Sequence, residues 1–403
     1  MKVFDLKQGR TTMHREIVPG VDWVGYIDWT VRDFHGYRTE DGSTYNAFLI
    51  RDEKVALMDT VKHPYYRYLL ANVAGLVPLS KVDYVICQHA EPDHSSALPA
   101  VMSACHQAEL VCTAKCQDAL AHHFDVSTWK FKIVKDGDEL SLGKRTLQFF
   151  ETPMVHWPES TATFLKEDGI LFSMDAFGQH YATAARFDDE VCLPELLQQT
   201  KTYYANIVMP FGVQVAKTLA RLGTLPIKQI CPSHGVCFRS HIPELLKAYT
   251  GYAACAAPKK KVVVAFASMW DSTRKMAEAI VDGVADSGVD YELIDVSVMH
   301  DTRTVTEIFD CSALAVGSAT LNMGIMPGMA RMLTYLRGLK PTGKSAIAFG
   351  SFGWAQKGGA SEVESMLTAT NIKLVQPAIT SRFKPSEEIL AACREAGKRL
   401  ATL

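Results

Sequence analysis

His89-Ala90-Glu91-Pro92-Asp93-His94 places four metal-capable side chains within six residues, directly after the apolar run Val82-Asp83-Tyr84-Val85-Ile86-Cys87. Such a loop at the end of a strand predicts a metal site. Three more strand-like runs end in a candidate ligand: His156 follows Glu151-Thr152-Pro153-Met154-Val155, Asp175 closes Ile170-Leu171-Phe172-Ser173-Met174, and His234 follows Ile230-Cys231-Pro232-Ser233. Each of these three residues alone would read as a surface or core group, and the hexapeptide gives them their meaning. A merely solvated acidic loop has no need of two histidines flanking two acids at alternating spacing. His14, His35, His63, His106, His122, His123, His180, His241 and His300 lack such a setting and read as structural or surface residues.

The pooled set is His89, Glu91, Asp93, His94, His156, Asp175 and His234. It is too large for one tetrahedral zinc and too poor in oxygen for calcium, but it divides between two adjacent transition metals that share a carboxylate. Three carboxylates and a hydroxide would cancel the charge of two divalent ions, which avoids leaving a bare charge in the interior. Asp175 is the expected bridge, because it stands alone between His156 and His234. Glu91 and Asp93, one residue apart, can each face a different metal.

The 403-residue chain is longer than a single core usually supports, and 48% hydrophobic with 21% charged residues is ordinary for a globular protein. A net charge of −2 gives no reason to expect nucleic acid, and Lys259-Lys260-Lys261 reads as a solvated boundary. Met1-Lys2-Val3-Phe4-Asp5-Leu6 has no leader pattern and no segment approaches a membrane span, so a cytoplasmic location is expected. The ten cysteines are scattered without a Cys-x-x-Cys pair, which predicts reduced thiols and no attached rubredoxin-like iron module. An electron donor would then be a separate protein.

Small residues and a proline at Gly251-Tyr252-Ala253-Ala254-Cys255-Ala256-Ala257-Pro258 predict a boundary, with domains at 1–250 and 261–403 and a linker at 251–260. The first part mixes short strands with a few helices, such as Ser96 to His106 and Asp188 to Ala205, and suits an αββα sandwich. The second alternates strands (Val262 to Phe266, Tyr291 to Asp295, Ala313 to Gly317, Ser345 to Phe349) with helices (Thr273 to Gly288, Met329 to Leu336, Ser361 to Thr370, and one after Pro385). The fold class is therefore α/β, with a doubly wound parallel sheet of flavodoxin type in the second domain.

Ser268-Met269-Trp270-Asp271-Ser272-Thr273 follows the first of those strands and opens a helix, where hydroxyls and backbone amides can cradle a phosphate. Dinucleotide and triphosphate fingerprints are missing, so a single terminal phosphate fits best, as in flavin mononucleotide (FMN). Alone, this loop would read as an ordinary helix cap. Ser318-Ala319-Thr320-Leu321-Asn322 and Ser351-Phe352-Gly353-Trp354 follow the third and fourth strands, so all three polar loops fall at carboxyl strand ends, where open α/β sheets bind ligands. Trp354 is placed to cover an isoalloxazine ring.

The hexapeptide resembles the His-x-His-x-Asp-His motif of the metallo-β-lactamase superfamily, with Glu91 in place of the second histidine. That exchange is similar to the flavodiiron proteins, whose carboxylate goes with a non-haem di-iron centre. Leu57-Met58-Asp59-Thr60 resembles the superfamily's first motif, with Asp59 expected to hold the ligand loop without being a ligand. The three flavin loops resemble those of the same family. Ala319 stands where proline is common, Met323 where a second asparagine is common, and Ala355-Gln356-Lys357 alters the third loop. The resemblance spans nearly the whole chain. It implies an N-terminal metallo-β-lactamase-like di-iron domain, an FMN domain, and reduction of oxygen to water or of nitric oxide to nitrous oxide. Rubredoxin or a reduced deazaflavin is the implied donor, and a head-to-tail homodimer, alone or as a dimer of dimers, the implied assembly. Trp157 and Tyr26 are expected to line the pocket. Reduced flavin and a diferrous pair together hold the four electrons that oxygen needs. A zinc hydrolase fused to a flavodoxin domain, or a plain flavin electron carrier, are the alternatives.

Overall fold

The computed structural model describes residues 13–255, 257, 260–355 and 358–403, so Met1 to Leu6, Lys259 and the Gln356-Lys357 part of the third loop lie outside the described residues. The chain forms two compact units. The first holds residues up to Phe34, Thr39–Tyr203 and Val213–Ala248, and the second holds His35–Arg38, Tyr204–Gly212 and Tyr249–Leu403.

The first unit is built on two sheets. One runs in the order Arg15–Val18, Val21–Trp23, Phe48–Arg51, Val55–Met58, Val82–Ile86, Glu109–Thr113, Lys130–Val134. The other runs Glu139–Ser141, Thr146–Glu151, Thr161–Leu165, Ile170–Met174, Gln229–Pro232. Their inner faces share a core in which Phe48, Met58 and Ile86 of the first sheet meet Leu147, Phe149 and Phe172 of the second. All four residues of Val55–Met58 are buried, as expected of a strand covered on both faces, with helices such as Tyr66–Ala74 and Leu98–Ala104 in the connections.

Register is what positions the metal ligands. Val55–Met58 and Val82–Ile86 run parallel with Met58 opposite Ile86, and Ile170–Met174 and Gln229–Pro232 run parallel with Met174 opposite Pro232. Their carboxyl ends therefore release Asp59, Cys87, Asp175 and Ser233 in two adjacent pairs.

Three local expectations need correction. The expected Ser96 to His106 helix is helical only over Leu98–Ala104, and a separate short helix before it, Pro92–Ser95, carries Asp93 and His94. The Asp188 to Ala205 helix is a 3-10 turn at Asp188–Glu190, an α-helix at Leu193–Tyr203 and a π-helical turn at Tyr204–Val208. The run before His156 is not a strand: Thr146–Glu151 ends five residues earlier, and residues 152–160 form a loop closed by Thr152 N–H to Ser160 O and Met154 N–H to Trp157 O, both 2.8 Å. Pro153 cannot donate to a ladder, so the sheet stops there.

In the second unit the sheet is entirely parallel, in the order Asp290–Asp295, Lys261–Ala267, Ala313–Ser318, Ser345–Phe352, with Lys373–Leu374 and Ile379–Arg382 both on the last of these. This is the flavodoxin-type order, which reverses beside the first strand. Lys261–Ala267 is buried throughout because it is central and covered on both faces. Ser351 and Phe352 belong to the strand itself, which ends three residues later than expected. Helices Ser272–Asp286 and Glu387–Ala401 approach through two glycines: a Cβ at Gly283 would lie 1.9 Å from Arg394 O, and one at Gly397 2.0 Å from Ile280 O.

Candidate metal centre

The hexapeptide loop is pinned from below. Asp59, at the end of Val55–Met58, adopts φ +54° and accepts the Gln88 N–H on Oδ1 at 2.9 Å and the Gln88 side-chain amide on Oδ2 at 2.7 Å. It is buried, which raises its pKa, and it holds the loop as anticipated without joining the ligand clusters. Pro92 opens the short helix Pro92–Ser95, the position where its missing N–H costs nothing, and this turn aims Asp93 and His94 inward.

All seven candidate ligands converge, in two clusters. His89, Glu91, His156 and Asp175 form one, and Asp93, His94 and His234 the other; within each cluster the donor atoms lie within 4.8 Å of one another. Asp175 faces both. Its Oδ2 is 3.3 Å from His156 Nε2 and 3.6 Å from His89 Nε2, and its Oδ1 is 3.3 Å from His94 Nε2 and 3.5 Å from His234 Nε2. Glu91 Oε2 lies 3.0 Å from His89 Nε2, and Asp93 Oδ2 lies 3.1 Å from both His94 Nε2 and His234 Nε2. Glu91 and Asp93 thus serve opposite clusters.

Orientation comes from groups behind the ligands. His89 Nδ1 donates to Glu159 Oε1 at 2.7 Å, which leaves Nε2 facing the cluster. Glu159 also accepts the Ala90 N–H at 3.2 Å. His234 Nδ1 donates to Thr44 O at 2.5 Å, and Tyr203 donates its hydroxyl to Asp175 Oδ1 at 2.9 Å. Glu159 and Tyr203 escaped the sequence reading. A carboxylate behind a ligating histidine is a general requirement, but no local pattern says which of 44 acidic residues supplies it. His180, read as structural, is buried beside the site, with its Nδ1 2.8 Å from Ser43 Oγ and its ring 5.0 Å from that of His234.

The electrostatics call for cations. Burial alone would lower His89, but Glu159 and Glu91 outweigh it and push its pKa up to about 9. His94 also reaches about 9, against burial, through Asp93 and Asp175, and His156 about 10 through Asp175 and Glu91. The carboxyls of Glu91 and Asp175 are held well below the usual range by the histidines, although burial pushes the other way. Asp93 Oδ1, Asp175 Oδ2 and both ring nitrogens of His94 are buried without a hydrogen bond of good geometry. Buried lone pairs left unmatched around converging nitrogens and oxygens fit two metal ions, the mixed donor set of a non-haem iron pair.

Trp157 packs its ring edge-on against His89, centroids 4.9 Å apart, and shields that cluster. Tyr26 does not meet the ligands in this way. It stacks on Tyr65 at 3.9 Å and lines a separate cavity with Trp29 and Tyr68.

In the second unit the three polar loops meet around a cavity of about 570 Å³. Met269, Trp270, Ser272, Ala319, Thr320, Asn322, Ser351, Phe352, Gly353 and Trp354 line it, together with Met323 and Ala355. Phe383 and Lys384, just after Ile379–Arg382, line it too and were not foreseen. Ser268, Asp271, Thr273, Ser318 and Leu321 stand outside that lining. Thr273 Oγ1 lies 2.8 Å from Ser351 Oγ, joining the first loop to the third, and Ser318 Oγ accepts the Met326 N–H at 3.0 Å. Ser268 Oγ is buried without a partner, beside the amino end of Ser272–Asp286. Trp270 and Trp354 are 87% and 89% exposed, an apolar rim suited to a flat ring. An unsatisfied hydroxyl in the loop that leads into a helix amino terminus, with Trp270 of the same loop and Trp354 rimming the cavity, fits a phosphorylated flavin.

Comparison with known proteins agrees with both halves. Residues 44–235 match the ODP family beta lactamase and residues 264–397 match flavodoxin. The nitric oxide reductase of Moorella thermoacetica is 41% identical over 391 residues, 96% of this chain and 97% of that protein. The rubredoxin-oxygen oxidoreductase of Megalodesulfovibrio gigas is 42% identical over 346 residues, 84% of this chain and 86% of that one. The crystal structure of the flavodiiron protein from Giardia intestinalis superposes with a TM-score of 0.95 at 37% identity, covering 98% of this chain and 97% of that one. With relatives this similar over nearly its whole length, a carboxylate shared between two donor clusters in one unit and a flavodoxin cleft in the other, the chain belongs to the flavodiiron protein family.

Proposed function

We propose that this protein is an oxygen and/or nitric oxide reductase in which an external donor reduces FMN and the flavin's electrons serve a non-haem di-iron centre. The observation that carries the reading is Asp175, whose two oxygens each face a different set of nitrogen donors. We assign His89, Glu91, His156 and Asp175 to one iron, and Asp93, His94, His234 and the other oxygen of Asp175 to the second. Glu91 favours iron over the zinc of a hydrolase, because a hard anionic oxygen replaces a histidine nitrogen. The names of the relatives, nitric oxide reductase and rubredoxin-oxygen oxidoreductase, support the same choice.

When bound, the iron pair supplies redox chemistry and a place for the gas to bind, and the flavin stores electrons. The chain's own residues do the rest. Glu159 and the Thr44 carbonyl hold the Nδ1 protons of His89 and His234, so that each ring offers Nε2. Asp59 fixes the height of the ligand loop through Gln88. Tyr203 neutralises part of the Asp175 charge and holds a hydroxyl proton at the edge of the site. Trp157 excludes water from the His89 side. For the flavin, we assign the phosphate to Ser268, Asp271, Ser272 and Thr273 at the helix amino end. The ring goes to the cleft bounded by Met269, Trp270, Ala319, Thr320, Asn322, Phe352, Gly353 and Trp354, with Ser318, Leu321 and Ser351 supporting it.

The proposed domains are 1–250 and 261–403, with a linker at 251–260. Among the described residues no helix is long and apolar enough to cross a membrane. We place the protein in the cytoplasm. Rubredoxin is the proposed donor, with a reduced deazaflavin as the other class, and nucleic acid has no role. Because electron transfer through protein falls steeply with distance, we place each flavin against the iron pair of a partner subunit in a head-to-tail homodimer, alone or paired as a dimer of dimers.

The direct test is metal and flavin analysis of the purified protein, followed by gas consumption with a reducing donor. Two irons and one flavin per chain, with uptake of oxygen or nitric oxide, are expected. Zinc as the only metal, with no gas uptake after reconstitution with iron, would refute the reading.

A further inference from the structure

A file of tyrosines leads away from the metal cluster. The Tyr45 ring lies 6.0 Å from that of His234, Tyr65 lies 5.6 Å from Tyr45, Tyr26 stacks on Tyr65 at 3.9 Å, and Tyr68 follows at 5.0 Å. Tyr45 is fully buried and Tyr68 is 40% exposed, so the file runs from the interior to the surface. Packing alone does not account for its chemistry. Asp28 lies buried beside it, with Oδ2 accepting the Tyr65 hydroxyl at 2.7 Å and the Tyr45 hydroxyl at 3.3 Å. Its other oxygen accepts the Thr30 and Val31 N–H groups, both at 3.1 Å, which fixes the carboxylate in place. Losing an electron makes a phenol strongly acidic, and a positioned carboxylate is what makes that loss easy. At the outer end, Tyr26 and Tyr68 line a cavity of about 440 Å³ with Trp29 and Arg67, open to a small reductant.

We propose that Tyr45, Tyr65, Tyr26 and Tyr68, with Asp28 as proton acceptor, form an escape route that carries oxidising equivalents from the metal centre to the surface when dioxygen arrives with too few electrons in store. In each passage one electron moves inward from Tyr65 through Tyr45. The Tyr65 O–H bond breaks, its proton passes to Asp28 Oδ2, and a neutral tyrosyl radical remains. As Tyr26 passes an electron to the Tyr65 radical, Asp28 returns the proton to Tyr65, and Tyr26 releases its own phenolic proton to solvent in the outer cavity that it lines. Tyr68 in turn reduces Tyr26, which takes a proton back from solvent while Tyr68 loses one, and a reductant of the thiol or ascorbate class gives up one electron and one proton to restore Tyr68. The chain ends unchanged, and the ligand histidines are spared oxidation. The inference rests on the proposed oxygen chemistry only for the source of the hole.

Protein loaded with iron and flavin, reduced to less than full capacity and mixed with dioxygen, is frozen for electron paramagnetic resonance, and a parallel sample is digested for mass spectrometry. A tyrosyl radical and oxidation products at Tyr65, Tyr26 or Tyr68 are expected. Tyr65→Phe, which keeps the stacked ring, should lose the radical and the products at Tyr26 and Tyr68, with oxidation moving to the ligand histidines. Oxygen consumption without radical or tyrosine products in the unmodified protein, or products at Tyr26 and Tyr68 that persist in Tyr65→Phe, overturns the route. If no oxygen is consumed, the oxygen branch of the proposed function fails instead, and the route is judged from outside. A photogenerated ruthenium(III) oxidant in solution should oxidise Tyr65 in the unmodified protein but not in Tyr26→Phe. Equal Tyr65 oxidation in both, or none in either, overturns it.

Discussion

Glu159 provides the sharpest test of how the metal centre is held. Its side chain is buried and accepts two donors, His89 Nδ1 at 2.7 Å and Ala90 N–H at 3.2 Å. Glu159→Ala removes Oε1, the one oxygen that accepts both. His89 is then released to turn or to change tautomer, and Ala90 leaves a buried N–H unmatched at a cost of about 1–3 kcal/mol. Loss of the group behind a ligating histidine typically weakens metal binding about 10–100-fold, equivalent to about 1.4–2.7 kcal/mol. The measurement is anaerobic competition for ferrous iron against a fluorescent chelator, with circular dichroism and flavin absorbance as controls for folding. Glu159→Gln keeps a carbonyl acceptor while losing the charge, so its affinity should fall between the two. Weakening should be confined to one iron, because His89 belongs to the cluster with Glu91 and His156. Wild-type affinity for both irons in Glu159→Ala would show that the hydrogen bond does not position the ligand.

Asp175→Asn removes the negative charge that faces both clusters, and iron content should fall by metal analysis while flavin absorbance stays intact; full iron and full turnover would mean that Asp175 is not shared. Trp354→Ala strips one wall of the flavin cleft, and fluorescence titration should show FMN bound about tenfold more weakly, the worth of one aromatic contact. Lys261 pairs with Glu307 at 2.7 Å and with Asp310, and these carboxylates raise its pKa above 10.5 despite burial. A raised pKa stabilises the fold fully below 10.5 and is lost as pH climbs through the folded value. The deficit of Lys261→Met in denaturant melts, about 3 kcal/mol, should thus be level at neutral pH and shrink only in strong alkali. Mixing a metal-free variant (His89→Ala with His234→Ala) with a flavin-free one altered at Ser268, Ser272 and Thr273 should recover part of the gas-reductase activity after subunit exchange. Full activity of a dilute monomer in sedimentation would exclude the head-to-tail dimer.

Much of this protein is legible from local pattern, and the reason is physical. A ligand loop must follow a strand and must carry its donors within a few residues, so His89, Glu91, Asp93 and His94 announce themselves. Alternation of buried runs with amphipathic helices likewise dictates a parallel sheet, and polar loops at carboxyl strand ends mark the cleft that Trp270, Thr320 and Phe352 line. Where local signals compete, the reading slips: Pro153 ends a sheet that the apolar residues around it suggest would continue, and His156 reaches the site from a loop.

Tertiary structure alone decides the rest, because those contacts depend on how sheets stack and not on neighbours along the chain. Glu159 meets His89 across 70 residues, and Phe383 and Lys384 enter the cleft only because Ile379–Arg382 pairs with Ser345–Phe352. The sequence offered Asp175 as a bridge by elimination. That its two oxygens face opposite clusters follows from the parallel register of Ile170–Met174 with Gln229–Pro232, which sets Asp175 beside the strand leading to His234. The tyrosine file has no sequence signature at all, since Tyr26, Tyr45, Tyr65 and Tyr68 share no period and come together only by folding around Asp28.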